Sequence, residues 1–333
     1  MTMTKKIFQY EVWKECHNHC KFCFLAEDIL HTPDLVKLNG VKNTIKQIKE
    51  DVENKHLDGV GIIGGDFWQG EITTEEIREA FFEMLSLCFE YLKEGKINEV
   101  WLSATLTIGD QKDLYRAIDM YNEIIPDEEK EAKRLWICTS YDTIGRFHSQ
   151  KMLDNWKFHM KNIAQKYPKV LKNTSLIITK DLVNKTLAGE FDFTKFEEEF
   201  NTNIYMKTPS HYFPDWEEGK RKFNEEIVGD FFLERKPTIE FLQKINAEVP
   251  DILNKIMNND YRAELLVGHS NTDEFYDMVR DQEDRHKNIS CDTDGEHAEK
   301  AQMMGCGHEK QYKCYIDSDK CFMCDLQRLF KVL

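Results

Sequence analysis

The chain predicts an α/β fold, a parallel sheet covered by helices, and three observations carry that expectation. Strand-like and helix-like segments alternate along the first 215 residues, strand before helix each time, an order that sets successive strands side by side in one direction. Six such units fit before residue 215, whereas a closed barrel of this kind needs about eight. A chain of 333 residues, 41% hydrophobic and 12% aromatic, can bury a sizeable core and is not disordered.

Residues 7–12, rich in apolar side chains, form the first expected strand. The helix after it is expected over 41–54, where Ile45, Ile48 and Val52 share one face. Residues 59–63 follow as strand two, since Val60, Ile62 and Ile63 favour extended backbone, and they run into Gly64-Gly65-Asp66. A helix over about 74–93 opens on a capping-box pattern, Thr73 with Glu76, and stops at Gly95. Its apolar face comprises Ile77, Phe81, Met84, Leu85, Cys88 and Leu92. Strand three, 99–102, leads into Ser103-Ala104-Thr105, and 110–123 reads as helix. Strand four covers 135–139, a helix spans 151–165, strand five covers 175–179 and strand six 203–206. The proline-bracketed, aromatic segment 206–214 reads as a packed connection. Three regions result: the α/β unit over 1–215, a charged and mostly helical connection over 216–284, and a cysteine-rich extension over 285–333.

A formal net charge of -15 argues against a nonspecific nucleic-acid surface. No apolar stretch is long enough to span a bilayer, and the first six residues lack a signal-peptide apolar region, so a cytoplasmic protein with no membrane partner is expected.

Ten cysteines in such a chain call for an explanation other than disulfides. Cys88, on a helix face, and Cys138, within a strand, read as ordinary packing residues. Cys16, Cys20 and Cys23 stand at Cys-x3-Cys-x2-Cys spacing directly after strand one. Three thiolates on so short a loop can converge on one soft metal centre with a coordination site left open, which suits an iron-sulfur cluster. A zinc site completed by His17 or His19 is the alternative. The other five, Cys291, Cys306, Cys314, Cys321 and Cys324, lie beyond residue 290. Cys306, Cys314, Cys321 and Cys324 offer four sulfurs for a tetrahedral site, iron-sulfur or zinc.

The cysteine loop, with Phe22 before its third cysteine, resembles that of the radical S-adenosylmethionine (radical SAM) enzymes. In that family a Gly-Gly-Glu-like turn after the second strand receives the methionine ammonium. Gly64, Gly65 and Asp66 match it, Asp66 being one methylene shorter than the usual glutamate. Ser140, Asp142 and Arg146, at the end of strand four, match residues that surround the ribose and methionine carboxylate. The resemblance implies a partial (β/α)6 TIM-type barrel with the site at the strand C-termini. It also implies a [4Fe-4S] cluster on Cys16, Cys20 and Cys23, with S-adenosylmethionine cleaved reductively to a 5'-deoxyadenosyl radical that abstracts hydrogen from a substrate. The tail resembles a twitch/SPASM-type extension, which implies a second [4Fe-4S] cluster, with zinc as the alternative. By the same analogy the substrate is a peptide or protein, the alternatives being a nucleotide, sugar or other small molecule, and the electron donor is a flavodoxin or ferredoxin. A nonenzymatic zinc-binding interaction protein is the competing class.

Overall fold

The computed structural model of the chain describes residues 7–20, 32–207, 237, 240, 241, 244, 245, 266 and 267. Six strands, β1 (Ile7–Glu11), β2 (Gly59–Ile63), β3 (Glu99–Ser103), β4 (Arg134–Tyr141), β5 (Leu171–Ile177) and β6 (Asn203–Lys207), lie in chain order and are all parallel. A two-residue strand, β7 (Leu266–Val267), adds in parallel to the outer edge of β1, within a stretch whose sequence reads as helical. The sheet order is therefore β6-β5-β4-β3-β2-β1-β7, and among the described residues the two ends do not pair. This is the expected open α/β architecture, a partial barrel rather than a closed one. The expected boundaries near 215 and 284 lie outside the described residues.

One helix follows each of the first four strands: α1 (Asp34–Lys55), α2 (Glu75–Lys93), α3 (Lys112–Ile124) and α4 (Gln150–Lys166). Two more, α5 (Lys180–Leu187) and α6 (Phe193–Phe200), sit between β5 and β6. Alternate strand residues face these helices and form the core. Val60, Ile62, Val100, Leu102, Leu135 and Ile137 are fully buried, the Tyr10 hydroxyl donates to Asp51 of α1 at 2.9 Å, and the Trp156 indole of α4 donates to Thr139 at 3.1 Å. The opposite face is mixed: Trp101 stacks on Trp136 at 5.2 Å and Arg134 pairs with Glu99 at 2.7 Å. Among the described residues no helix is long and apolar enough to cross a membrane.

Several element limits differ from the expected ones, each for a physical reason. Helix α1 starts at Asp34 rather than at residue 41, because its first two turns are anchored by a buried ion pair that apolar periodicity cannot reveal. Lys37 is 3% exposed, pairs with Glu15 and donates to the Ile72 carbonyl. The cap of α2 is Thr74, which accepts from the Ile77 amide at 3.4 Å, one residue after the expected Thr73. Strand β5 begins at Leu171 because Lys172, Asn173 and Thr174, polar yet buried, belong to it, and Thr179 caps α5 instead of ending the strand. Helices α5 and α6 are only eight residues each, too short for a clear periodic signal; α6 buries Phe193, Phe196 and Phe200.

His159 links α4 to the end of β3. Its Nε2 is 3.0 Å from the Ile108 carbonyl and must donate, and its Nδ1 is 2.8 Å from the Tyr115 hydroxyl. Burial lowers its pKa from 6.5 and so favours the neutral ring, in which Nδ1 accepts from Tyr115. As pH falls through that value the unfolded chain takes up a proton that the folded chain still refuses, so stability drops. Thermal melting between pH 7.5 and 5 is expected to show a decline below about pH 6.5 that is shallower in His159→Gln.

Candidate functional site at the C-terminal ends of the strands

The β1–β2 pairing does not stop at the strands. Val12 donates to the Ile63 carbonyl at 3.1 Å, Gly65 to Trp13 at 2.8 Å and Asp66 to Glu15 at 2.9 Å, which carries the chain toward Cys16 over the Gly-Gly-Asp turn. Glycine is required there. A Cβ on Gly65 would sit 1.8 Å from the Glu15 carbonyl oxygen, and one on Gly64 would sit 2.1 Å from that of Trp13. Gly64 also has φ of 142°, which side chains disfavour. The space cleared by both glycines is thus filled by this chain's own residues 13–15.

Asn18, 1% exposed, organises the cysteine loop. Its backbone amide donates to Cys16 Sγ at 3.4 Å, and its Nδ2 donates to Cys20 Sγ at 2.9 Å and to the Arg146 carbonyl at 3.3 Å. The carbonyl can only accept, so the amide nitrogen lies on that side. Its Oδ1 accepts from Thr107 at 2.6 Å, and its backbone carbonyl is 2.8 Å from His148 Nε2. His19 adopts a positive φ of 43° just before Cys20. The loop is further tied to the β2 side where His17 N donates to Gln69 at 3.1 Å.

Arg146 is buried beside this loop. Its Nη1 is 3.9 Å from Cys20 Sγ, its Nη2 donates to the Thr105 carbonyl at 3.2 Å, and its Nε has no partner. Asp66 is fully buried, accepting from the Thr105 hydroxyl and from the Trp68 amide at 3.4 Å. Asp142 uses Oδ1 for the amides of Ile144, at 2.8 Å, and Gly145, while its buried Oδ2 has no hydrogen-bond partner.

These groups share one electrostatic environment. Burial pushes the Cys16 thiol up to about 12, with the Asp66 charge adding to it and the Asn18 amide and Arg146 opposing it. Burial likewise raises Cys20 against Arg146 and Asn18. Asp66 is raised by burial against its Thr105 bond, and Asp142 by burial against the Gly145 and Ile144 amides. Arg146 favours the charged form of all four.

The structure therefore brings Cys16, Cys20, Asp66, Asp142 and Arg146 together. Ser140 lies apart on β4, half-exposed and in register with Ser175. Phe22, Cys23, Cys306, Cys314, Cys321 and Cys324 lie outside the described residues, as does Cys291. Among the described residues no three His, Cys, Asp or Glu side chains form a metal-holding group. The sequence reading missed Asn18, Thr107, His148 and Gln69; the only signal was a polar residue enclosed between two cysteines.

The donor set fits a metal-bound sulfur site. Three N–H groups, the Asn18 amide, Asn18 Nδ2 and Arg146 Nη1, approach the two sulfurs. A neutral thiol is a weak acceptor with little use for such donors, whereas a metal-bound thiolate carries charge for them to stabilise.

No protein-family model matches the chain, and no curated protein matches it. Among solved structures, one of polyhistidine-tagged anSMEcpe with bound AdoMet is similar at a TM-score of 0.47 and 14% identity. That similarity covers 77% of this chain and 60% of that protein's.

Proposed function

We propose that the chain is a radical SAM enzyme, with its site at the ends of β1 to β4. The observation that carries the reading is the convergence of N–H donors on Cys16 and Cys20, in a loop whose three-cysteine spacing leaves one metal position free for a ligand. Cys16, Cys20 and Cys23 would hold a [4Fe-4S] cluster. With S-adenosylmethionine bound, this group would supply reductive cleavage of the sulfonium and, from it, hydrogen abstraction from a substrate.

The protein's own residues hold and orient. The glycine turn at Gly64 and Gly65 docks the segment that leads into the cysteine loop. Asp66 accepts from Thr105 and the Trp68 amide, which fixes the turn, and its carboxylate adds negative potential for a cationic ligand. Asp142 Oδ2 is the open acceptor, suited to a ligand hydroxyl such as one on a ribose, and Arg146 Nε is the open donor. Ser140 lies on β4, two residues before Asp142. A peptide or protein substrate, a flavodoxin or ferredoxin donor, a second cluster or zinc in the cysteine-rich tail, and a cytoplasmic location complete the proposal.

The test is anaerobic reconstitution followed by iron and sulfide analysis and by measuring 5'-deoxyadenosine release with dithionite and S-adenosylmethionine. A brown protein that releases the nucleoside is expected. Asp142→Ala should raise the S-adenosylmethionine concentration needed roughly tenfold, the effect of losing a hydrogen bond to a charged acceptor. Zinc without iron, or a cluster that yields no nucleoside, overturns the proposal.

A further inference from the structure

We infer that Asn18 is a positioning residue that sets the electron affinity of the cluster, an assignment that rests on the proposed function. Among the described residues it alone bonds the sulfurs of both Cys16 and Cys20, through its backbone amide to Cys16 and its side-chain nitrogen to Cys20. The side chain cannot turn away. Thr107 donates to its oxygen at 2.6 Å, and the Arg146 carbonyl takes the second hydrogen of its nitrogen at 3.3 Å, so the remaining N–H stays aimed at Cys20. At 1% exposure no water competes for it.

A cluster held by these sulfurs would take one electron from a reduced flavodoxin or ferredoxin, or from dithionite in the test, and part of the added charge would fall on the cysteine sulfurs. An N–H dipole fixed on a sulfur stabilises the reduced form more than the oxidised one, which raises the midpoint potential. Removing it makes the cluster harder to reduce. Thr107 serves the same end at one remove, since it sets which way the carboxamide faces.

The measurement is a dye-mediated potentiometric titration of the reconstituted full chain, followed by electron paramagnetic resonance. Asn18→Ala is expected to move the midpoint to a more negative value at unchanged iron content, and Thr107→Val to move it less in the same direction. A purely packing role would lower melting temperature and leave the midpoint in place, which overturns the assignment. If Asn18→Ala assembles no cluster, two results decide. Thr107→Val must shift the midpoint, and the iron–sulfur stretching bands of wild-type protein reconstituted in heavy water must move relative to ordinary water. Absence of both overturns the assignment. Wild-type protein that holds no iron overturns the proposed function itself, whereas iron present with unmoved midpoints overturns the role of Asn18 alone.

Discussion

Cys16→Ala and Cys20→Ala are each expected to abolish iron retention at this loop while leaving a folded protein. Both side chains are only partly buried at the end of the sheet, so losing either costs about 1 kcal/mol of packing. Their weight lies in ligation. A cluster with one of its three protein sulfurs removed loses a ligand that a hard carboxylate oxygen replaces poorly. Nucleoside release should fall below about a hundredth of wild type, more than the loss of a supporting hydrogen bond produces. Cys88→Ala is the control: that thiol is fully buried within α2, so the variant should lose about 1–2 kcal/mol of stability and keep its iron. Full iron in Cys16→Ala would falsify the assignment.

Gly65→Ala is expected to be the most damaging single methyl in the site. The added carbon would lie 1.8 Å from the Glu15 carbonyl oxygen and 2.5 Å from its carbon, both backbone atoms that cannot rotate away. Relief requires the 13–15 segment to lift off the turn, breaking the Gly65–Trp13 and Asp66–Glu15 hydrogen bonds. A cost of about 3 kcal/mol or more follows, at the upper end for overpacking. Because the same segment delivers Cys16, iron content should fall with the melting temperature. Gly70→Ala is the matched control, its new carbon meeting nothing within 4 Å. Equal melting temperatures for the two variants would show that the turn tolerates what its geometry forbids.

Where burial followed simple periodicity, the sequence was readable. The apolar runs of β1 to β4 and the buried face of α2, from Ile77 to Leu92, lie close to where alternation and helical spacing put them. Reading failed where polar groups take core positions. Lys37 anchors the start of α1 through Glu15, and Lys172, Asn173 and Thr174 build the first half of β5; none carries a hydrophobic signal. The site divides the same way. Cysteine spacing and the double glycine stand out in a linear chain, and the structure sets Cys16, Cys20 and the glycine turn at one end of the sheet. The partners of Asn18 do not stand out, because Thr107, Arg146 and His148 lie 89 to 130 residues away. Nor does the Thr105 hydroxyl that donates to Asp66 stand out, being 39 residues on.

That wide separation of partners has a temporal side. On a ribosome, the two loop cysteines emerge first, yet the hydroxyl that orients Asn18 and the guanidinium beside Cys20 belong to residues 107 and 146, made after two and three further strands. A nascent chain therefore displays these thiols before it can arrange them. The hydrogen bonds that arrange the loop are complete only once the fourth strand has docked.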